Sequence, residues 1–205
     1  MNKGQMEYII GIDEVGRGPL AGPVAVCAFM FCTRQDLVQV LPKNLKLRDS
    51  KQLSVKQRQK WFEVILNWKK EGLSDFAISY VDSVNIDKFG IVPCIKKALA
   101  ECLKKLLISN KINPADCKVL LDGGLKAPVE YVNQQTFIKG DEDYPQISLA
   151  SIVAKVSRDK IMATYAKKYP QYGLGTNSGY GTSVHMQAIK THGLTPIHRK
   201  TFIHL

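Results

Sequence analysis

Four carboxylates occupy positions where a soluble chain has little reason to put them. Asp13 and Glu14 follow directly on the apolar run Ile9-Ile10-Gly11-Ile12, and Asp122 follows a second run, Val119-Leu120-Leu121. Short apolar runs rich in β-branched residues read as buried strands. Unpaired charge buried at their ends costs several kcal/mol or more unless a cation compensates it. Asp141 lies in a third acidic group, Asp141-Glu142-Asp143, before a predicted long helix. There Glu142 and Asp143 read as acids favoured by the helix dipole, and Asp141 is the one reserved for chemistry. If the first and fourth strands are neighbours, Asp13, Glu14, Asp122 and Asp141 converge. Oxygen donors with no His or Cys pair nearby suit Mg²⁺ or Mn²⁺ rather than zinc. Two such ions about 4 Å apart can activate a water and stabilise the leaving oxygen in phosphodiester hydrolysis. Taken singly, each carboxylate could be a cap or a surface ion-pair partner; taken jointly, that alternative weakens.

The residues around these acids suggest what is bound. Neighbouring side chains on a strand point to opposite faces, so Asp13 and Glu14 share an ion only where the strand bends or ends. Gly16 and Gly18 are expected to supply that bend and to present backbone N–H groups beside Arg17, an arrangement suited to a phosphate or a sugar hydroxyl. The segment Gly16 to Pro23 matches neither a dinucleotide fingerprint nor a P-loop. Lys51, in the polar loop Leu47 to Leu53, is either solvated or a phosphate grip ahead of a helix N-terminus. Gly173 to Gly181 reads as a flexible loop carrying Asn177 and Tyr180, with Tyr172 just before it. It lies in a tail that has eight Lys or Arg from Lys155 onward against one acid, Asp159. Aromatic rings among positive charges can stack on nucleic-acid sugars or bases. The four histidines, His185, His192, His198 and His204, lack the spacing of a zinc face.

A chain of 205 residues with a 45% apolar content fits one globular domain. Alternating strands and helices predict an α/β class, a sheet flanked by helices. Strands are expected over Val24 to Phe31, the central one, and over Phe76 to Val81. Helices are expected from Ser54 to about Lys70, with Ser54 and Gln57 as a capping box, from about Ile91 with Pro93 in its first turn, and from Pro145 to Lys168. Ser83 reads as a helix cap. Trp61 and Trp68 read as core rather than base-stacking residues. The net charge of +11 favours a polyanionic partner over a merely solvated lysine surface. Five dispersed cysteines with no CxxC pair read as reduced thiols. With no apolar membrane span and no signal region near Met1, the expectation is a cytoplasmic protein that does not meet a membrane.

The stretch Gly11-Ile-Asp-Glu-Val-Gly-Arg-Gly-Pro-Leu-Ala-Gly-Pro-Val24 closely resembles the opening signature of ribonuclease HII, the bacterial type 2 ribonucleases H. The resemblance continues through LRDSKQLS (47 to 54), LLDGG (120 to 124), KGDEDYPQISLASIVAKVSRD (139 to 159), GYGTSVH and HRKTF. It implies an RNase H-like fold over residues 1 to 205, with a helical substrate-binding appendage from about residue 170. The activity implied is cleavage of the RNA strand of RNA/DNA hybrids and incision 5′ to single ribonucleotides in duplex DNA, leaving 3′-hydroxyl and 5′-phosphate ends. By the same resemblance Asp13, Glu14, Asp122 and Asp141 are the metal ligands. Gly16, Arg17 and Gly18 would read the ribose 2′-OH, Tyr180 would stack on a sugar, and Lys51 would contact a phosphate. The implied cofactor is Mg²⁺ or Mn²⁺, two ions, in a monomer with no evident clamp-binding peptide. Ribonuclease HIII is the related alternative, but its signature carries lysine at the position of Arg17. It usually has an extra N-terminal domain, for which the seven residues before the first strand are expected to leave no room. Leu149, where alanine is more usual, is a small departure. A non-catalytic hybrid-binding protein would need the basic surface without the acids.

Overall fold

The computed structural model describes residues 8–32, 41–42, 47, 50 and 52–204. Five strands, β1 (Tyr8–Val15), β2 (Val24–Phe31), β3 (Ser74–Val81), β4 (Cys117–Asp122) and β5 (Asn133–Phe137), form one sheet in the order β3-β2-β1-β4-β5. β1 and β2 pair antiparallel, as do β2 and β3, whereas β1 with β4 and β4 with β5 run parallel, so the sheet is mixed. Helices α1 (Val55–Lys70), α2 (Ser83–Phe89), α3 (Ile91–Asn110), α4 (Gly140–Asp143), α5 (Pro145–Lys168), α6 (Leu174–Asn177) and α7 (Ser183–His192) complete the regular structure.

The sheet is buried on both faces, which is why β1 and β2 read as nearly unbroken apolar runs. One face presents Ile10, Ile12, Val26, Met30, Val119 and Leu121 to α3, whose Ile95, Leu99, Leu103 and Leu106 meet them. The other presents Cys27 and Phe29 to Trp61 and Ile65 of α1 and to Leu149, Ile152 and Val153 of α5. Both tryptophans are therefore core residues, as expected. A third, smaller cluster of Ala21, Met162, Tyr172, Leu174, Ile189 and Ile197 holds the C-terminal helical segment to the far end of α5.

The helix caps follow the sequence closely, with instructive exceptions. Ser54 and Gln57 form the reciprocal capping box that starts α1, and Pro93 lies in the first turn of α3. Asp82, not Ser83, caps α2, its carboxylate accepting from the Asn85 N–H; Asp bonds the open amides of a first turn as well as Ser does. β2 is an interior strand, as expected, between β3 and the middle strand β1. β5 carries the polar sequence Asn-Gln-Gln-Thr-Phe; an edge strand needs no apolar run, so pattern reading passes over it.

Gly11 sets the distance between β1 and α5. A Cβ there would sit 2.2 Å from the Gln146 carbonyl carbon and 2.4 Å from the Ile147 nitrogen, so strand and helix meet backbone to backbone. α5 presents Ala150, Ser151 and Ala154 along its buried length, small enough to keep the approach close. Because α4 leads straight into α5, this contact also fixes where Asp141 stands. Gly11→Ala should therefore cost about 3 kcal/mol or more, read as a lowered denaturation midpoint, since backbone on both sides must move.

Candidate active site

The parallel register of β1 and β4 pairs Ile12 with Leu121, so the next residues, Asp13 and Asp122, emerge side by side at the carboxyl ends of two adjacent strands. Ligand and catalytic sites of open α/β sheets form at such strand ends. Both carboxylates lie on the α5 face: Asp13 is 5% exposed and is hydrogen-bonded by Ser151 of α5. Asp122 Oδ1 accepts the Gly140 N–H at 2.8 Å, and the next residue is Asp141, also 5% exposed. Ser148 Oγ donates to the Asp141 carbonyl, tying α4 to the first turns of α5. Gly140 permits the docking, since a Cβ there would lie 2.7 Å from Ile147 Cδ1 and 3.1 Å from Phe137 Cβ.

Glu14 is placed differently. β1 stays paired with β2 through Glu14–Val26 and Val15–Ala25, so strand alternation carries Glu14 to the α3 face, opposite Asp13. The bend comes only afterwards, at Gly16 with φ 91°, and not between the two acids. Glu14 Oε1 stands 3.7 Å from Arg17 Nη1, while its N–H donates to Asp13 Oδ1 at 2.7 Å. The structure thus sets Asp13 and Asp122 side by side on one face, with Asp141 following the Gly140 that bonds Asp122 and Glu14 across the strand.

Burial and like charge set the electrostatics of this corner. Burial first, then repulsion from Glu14 and Asp122, push the Asp13 carboxyl up to about 8, against the lowering effects of the hydrogen bonds from Ser151 and the Glu14 N–H. Among the described residues no three His, Cys, Asp or Glu side chains already close on a single cation as they stand. The donor set nevertheless suits a hard divalent ion: carboxylate oxygens from neighbouring segments, with those of Asp13 and Asp141 in buried side chains.

The glycine loop lies beside this corner. Gly16 must lack a side chain because its Cβ would fall 2.3 Å from Arg158 Nε. A Cβ on Gly18 would stand 3.8 Å from Tyr180 Cε1, so the loop and the half-exposed tyrosine share one surface. Residues 173 to 181, expected to be a flexible loop, form α6 and a tight turn. Within it Asn177 Nδ2 donates to the Tyr172 carbonyl and the Gly179 N–H donates to Asn177 Oδ1. Lys51 lies outside the described residues. Its neighbour Ser50 is buried, its Oγ 2.7 Å from the Ser151 Oγ that serves Asp13.

Sequence reading missed two groups. Arg158 and Arg199, counted above with the basic surface, are 1% and 0% exposed. Both are spent on backbone carbonyls rather than on solvent. His185 and His198 are also buried and joined by a 3.1 Å contact between their Nε2 atoms. The Thr195 N–H donates to His198 Nδ1, so the His198 proton sits on Nε2 and points at His185. The His185 proton then sits on Nδ1, 2.9 Å from the Tyr180 carbonyl. The relevant signal was each residue's place in a segment that carries the family resemblance, residues 139 to 159 for Arg158, GYGTSVH for His185 and HRKTF for His198 and Arg199, not its chemical type.

This sheet order, with helices on both faces and acids at the strand ends, defines a ribonuclease H-type domain. Ribonuclease HII of Archaeoglobus fulgidus, solved in a complex with PCNA, superposes with a TM-score of 0.71 over 97% of this chain and 96% of that one, at 22% identity. Bst-RNase HIII, solved in complex with Mn²⁺, superposes with a TM-score of 0.71 over 97% of this chain and 68% of that one, at 18% identity. Such distant likenesses establish the fold alone. Sequence settles the family. The chain belongs to the ribonuclease HII family, whose model matches residues 10–205. The ribonuclease HII of Endomicrobium trichonymphae is 42% identical over 197 residues, 95% of this chain and 84% of that protein.

Two outcomes follow from the buried charges. In divalent-free buffer at neutral pH Asp13→Asn should raise the melting temperature by about 2–4 °C, for about 1 kcal/mol gained by removing a carboxyl whose ionisation the folded state suppresses and the unfolded chain allows. His198 is pushed down to about 4, by burial first and then by repulsion from His185. The unfolded chain therefore binds a proton that the folded chain refuses. Stability from this group is fully present above pH 6.5 and is lost as the pH falls toward 4. Melting curves across that window should slope less steeply for His198→Gln.

Proposed function

We propose that this enzyme hydrolyses the RNA strand of RNA/DNA hybrids and also incises duplex DNA on the 5′ side of an embedded ribonucleotide, leaving 3′-hydroxyl and 5′-phosphate ends. The observation that carries the reading is the placement of Asp13 and Asp122 side by side at the carboxyl ends of β1 and β4, with Asp141 anchored next to them through Gly140. Membership of the ribonuclease HII family supports the substrate class.

Asp13, Asp122 and Asp141 would hold two Mg²⁺ or Mn²⁺ ions, with Glu14 completing the set. The binding of Mn²⁺ by a ribonuclease HIII of the same fold supports that choice of cation. Bound there, divalent ions supply an activated water and charge neutralisation on the leaving oxygen. The protein's own residues do the positioning. Ser151 and the Glu14 N–H orient the Asp13 carboxylate, and the Gly140 N–H orients that of Asp122. Outward amides of the Gly16-Arg17-Gly18 loop meet the ribose 2′-OH, the group that separates RNA from DNA. Tyr180, half-exposed beside Gly18, stacks on the neighbouring sugar. The segment from about residue 170 onward acts as the substrate-binding appendage, and Lys51 is a phosphate contact. The enzyme works as a cytoplasmic monomer; among the described residues no helix is long and apolar enough to cross a membrane.

Asp122→Asn should lower cleavage of a duplex carrying one ribonucleotide by about 100-fold or more in Mg²⁺, and EDTA should abolish cleavage by the unaltered enzyme. Near-normal cutting by the variant would remove Asp122 from the site. Tight hybrid binding with no cutting by the unaltered protein in either metal would instead mark a binding module.

A further inference from the structure

Two buried guanidiniums sit directly behind the glycine loop, and among the described residues no carboxylate forms a salt bridge with either. Arg199 Nε and Nη2 donate to the Gly22 carbonyl at 3.0 and 2.8 Å, Nη2 also to the Gly16 carbonyl at 2.7 Å, and Nη1 to the Arg17 carbonyl at 2.9 Å. Arg158 donates to the carbonyls of Pro23, Ser178 and Ala21 at 2.9, 3.1 and 3.2 Å. A buried cation without a counter-ion is costly, and the carbonyl dipoles are what compensate it here.

The consequence lies on the other side of the same peptide groups. No peptide bond in the described chain is cis, and in a trans peptide the N–H points opposite to the C=O. Drawing the Gly16 and Arg17 carbonyls inward onto Arg199 turns the Arg17 and Gly18 N–H groups outward, on two consecutive residues that are both exposed. Tyr180 borders the same surface.

We infer that Arg199, supported by Arg158, is a positioning residue for sugar discrimination: its guanidinium fork sets the peptide planes of the Gly16-Arg17-Gly18 loop so that their amides are aimed before substrate arrives. The inference rests on the proposed reading of the ribose by this loop. Lysine cannot replace it, because one ammonium nitrogen cannot span three carbonyls that a planar fork reaches from three nitrogens.

The test compares binding of two duplexes identical except for one ribonucleotide, in Ca²⁺ to suppress cutting, by the unaltered protein and by Arg199→Lys. The ratio of the two affinities should fall about tenfold or more in the variant, while affinity for the all-DNA duplex stays within twofold and the circular dichroism spectrum is retained. A folded Arg199→Lys variant that keeps the full ratio overturns the inference. An unaltered protein that binds both duplexes equally overturns instead the reading of the loop as the ribose sensor. Should Arg199→Lys fail to fold, side-chain NMR of the unaltered protein decides. Arg199 Nε–H and its Nη protons should give resolved, slowly exchanging signals that shift with the ribonucleotide duplex and not with DNA. Averaged, rapidly exchanging signals would overturn the inference.

Discussion

Acidic side chains crowded at the ends of two paired strands are the constraint around which this molecule is built. Strand pairing in parallel, with β1 and β4 in register, makes Asp13 and Asp122 neighbours whether or not that is electrostatically comfortable. The covering helix then takes Asp13 out of water. A sheet could relieve the strain by replacing either acid with an apolar residue, as at nearly every other inward position of β1 and β4. Keeping them sacrifices folding free energy, a pattern common where function and stability compete.

The same economy governs the positive charges. Arg158 and Arg199 are embedded among backbone oxygens, where their fixed geometry serves better than their charge. Acids at the strand ends and cations behind the glycine loop therefore act on the two sides of one short connection, residues 16 to 23. One side of that connection meets the divalent ions and the scissile strand in the proposed reaction, and the other is stapled to α5 and to the C-terminal segment.

Much of this was legible in the residues themselves. The apolar runs of β1 and β4 stop at carboxylates, and the residue pattern gave the extents of α1 and α5 and the start of α3 nearly to the residue. The recurring segments pointed to the family. What was not legible depends on partners distant in sequence. Nothing local distinguishes Arg199, at 0% exposure, from the neighbouring exposed Lys200. The turn of the chain after Val15, rather than between Asp13 and Glu14, follows from pairing with β2 and not from the glycines alone. β5 was hidden because an edge strand can be polar throughout.

The tie between Arg199 and the Gly16 carbonyl joins residues 183 apart in the chain, and the Ala21–His198 bridge repeats the connection in the backbone. During synthesis the sheet, its acids and the covering helix α5 can all be in place while the segment that shapes the glycine loop is still inside the ribosome. A nascent chain at that stage holds the acidic corner without the guanidinium that draws the glycine-loop carbonyls inward. The order of translation thus completes the acidic corner before the arginine that anchors the glycine loop can reach it.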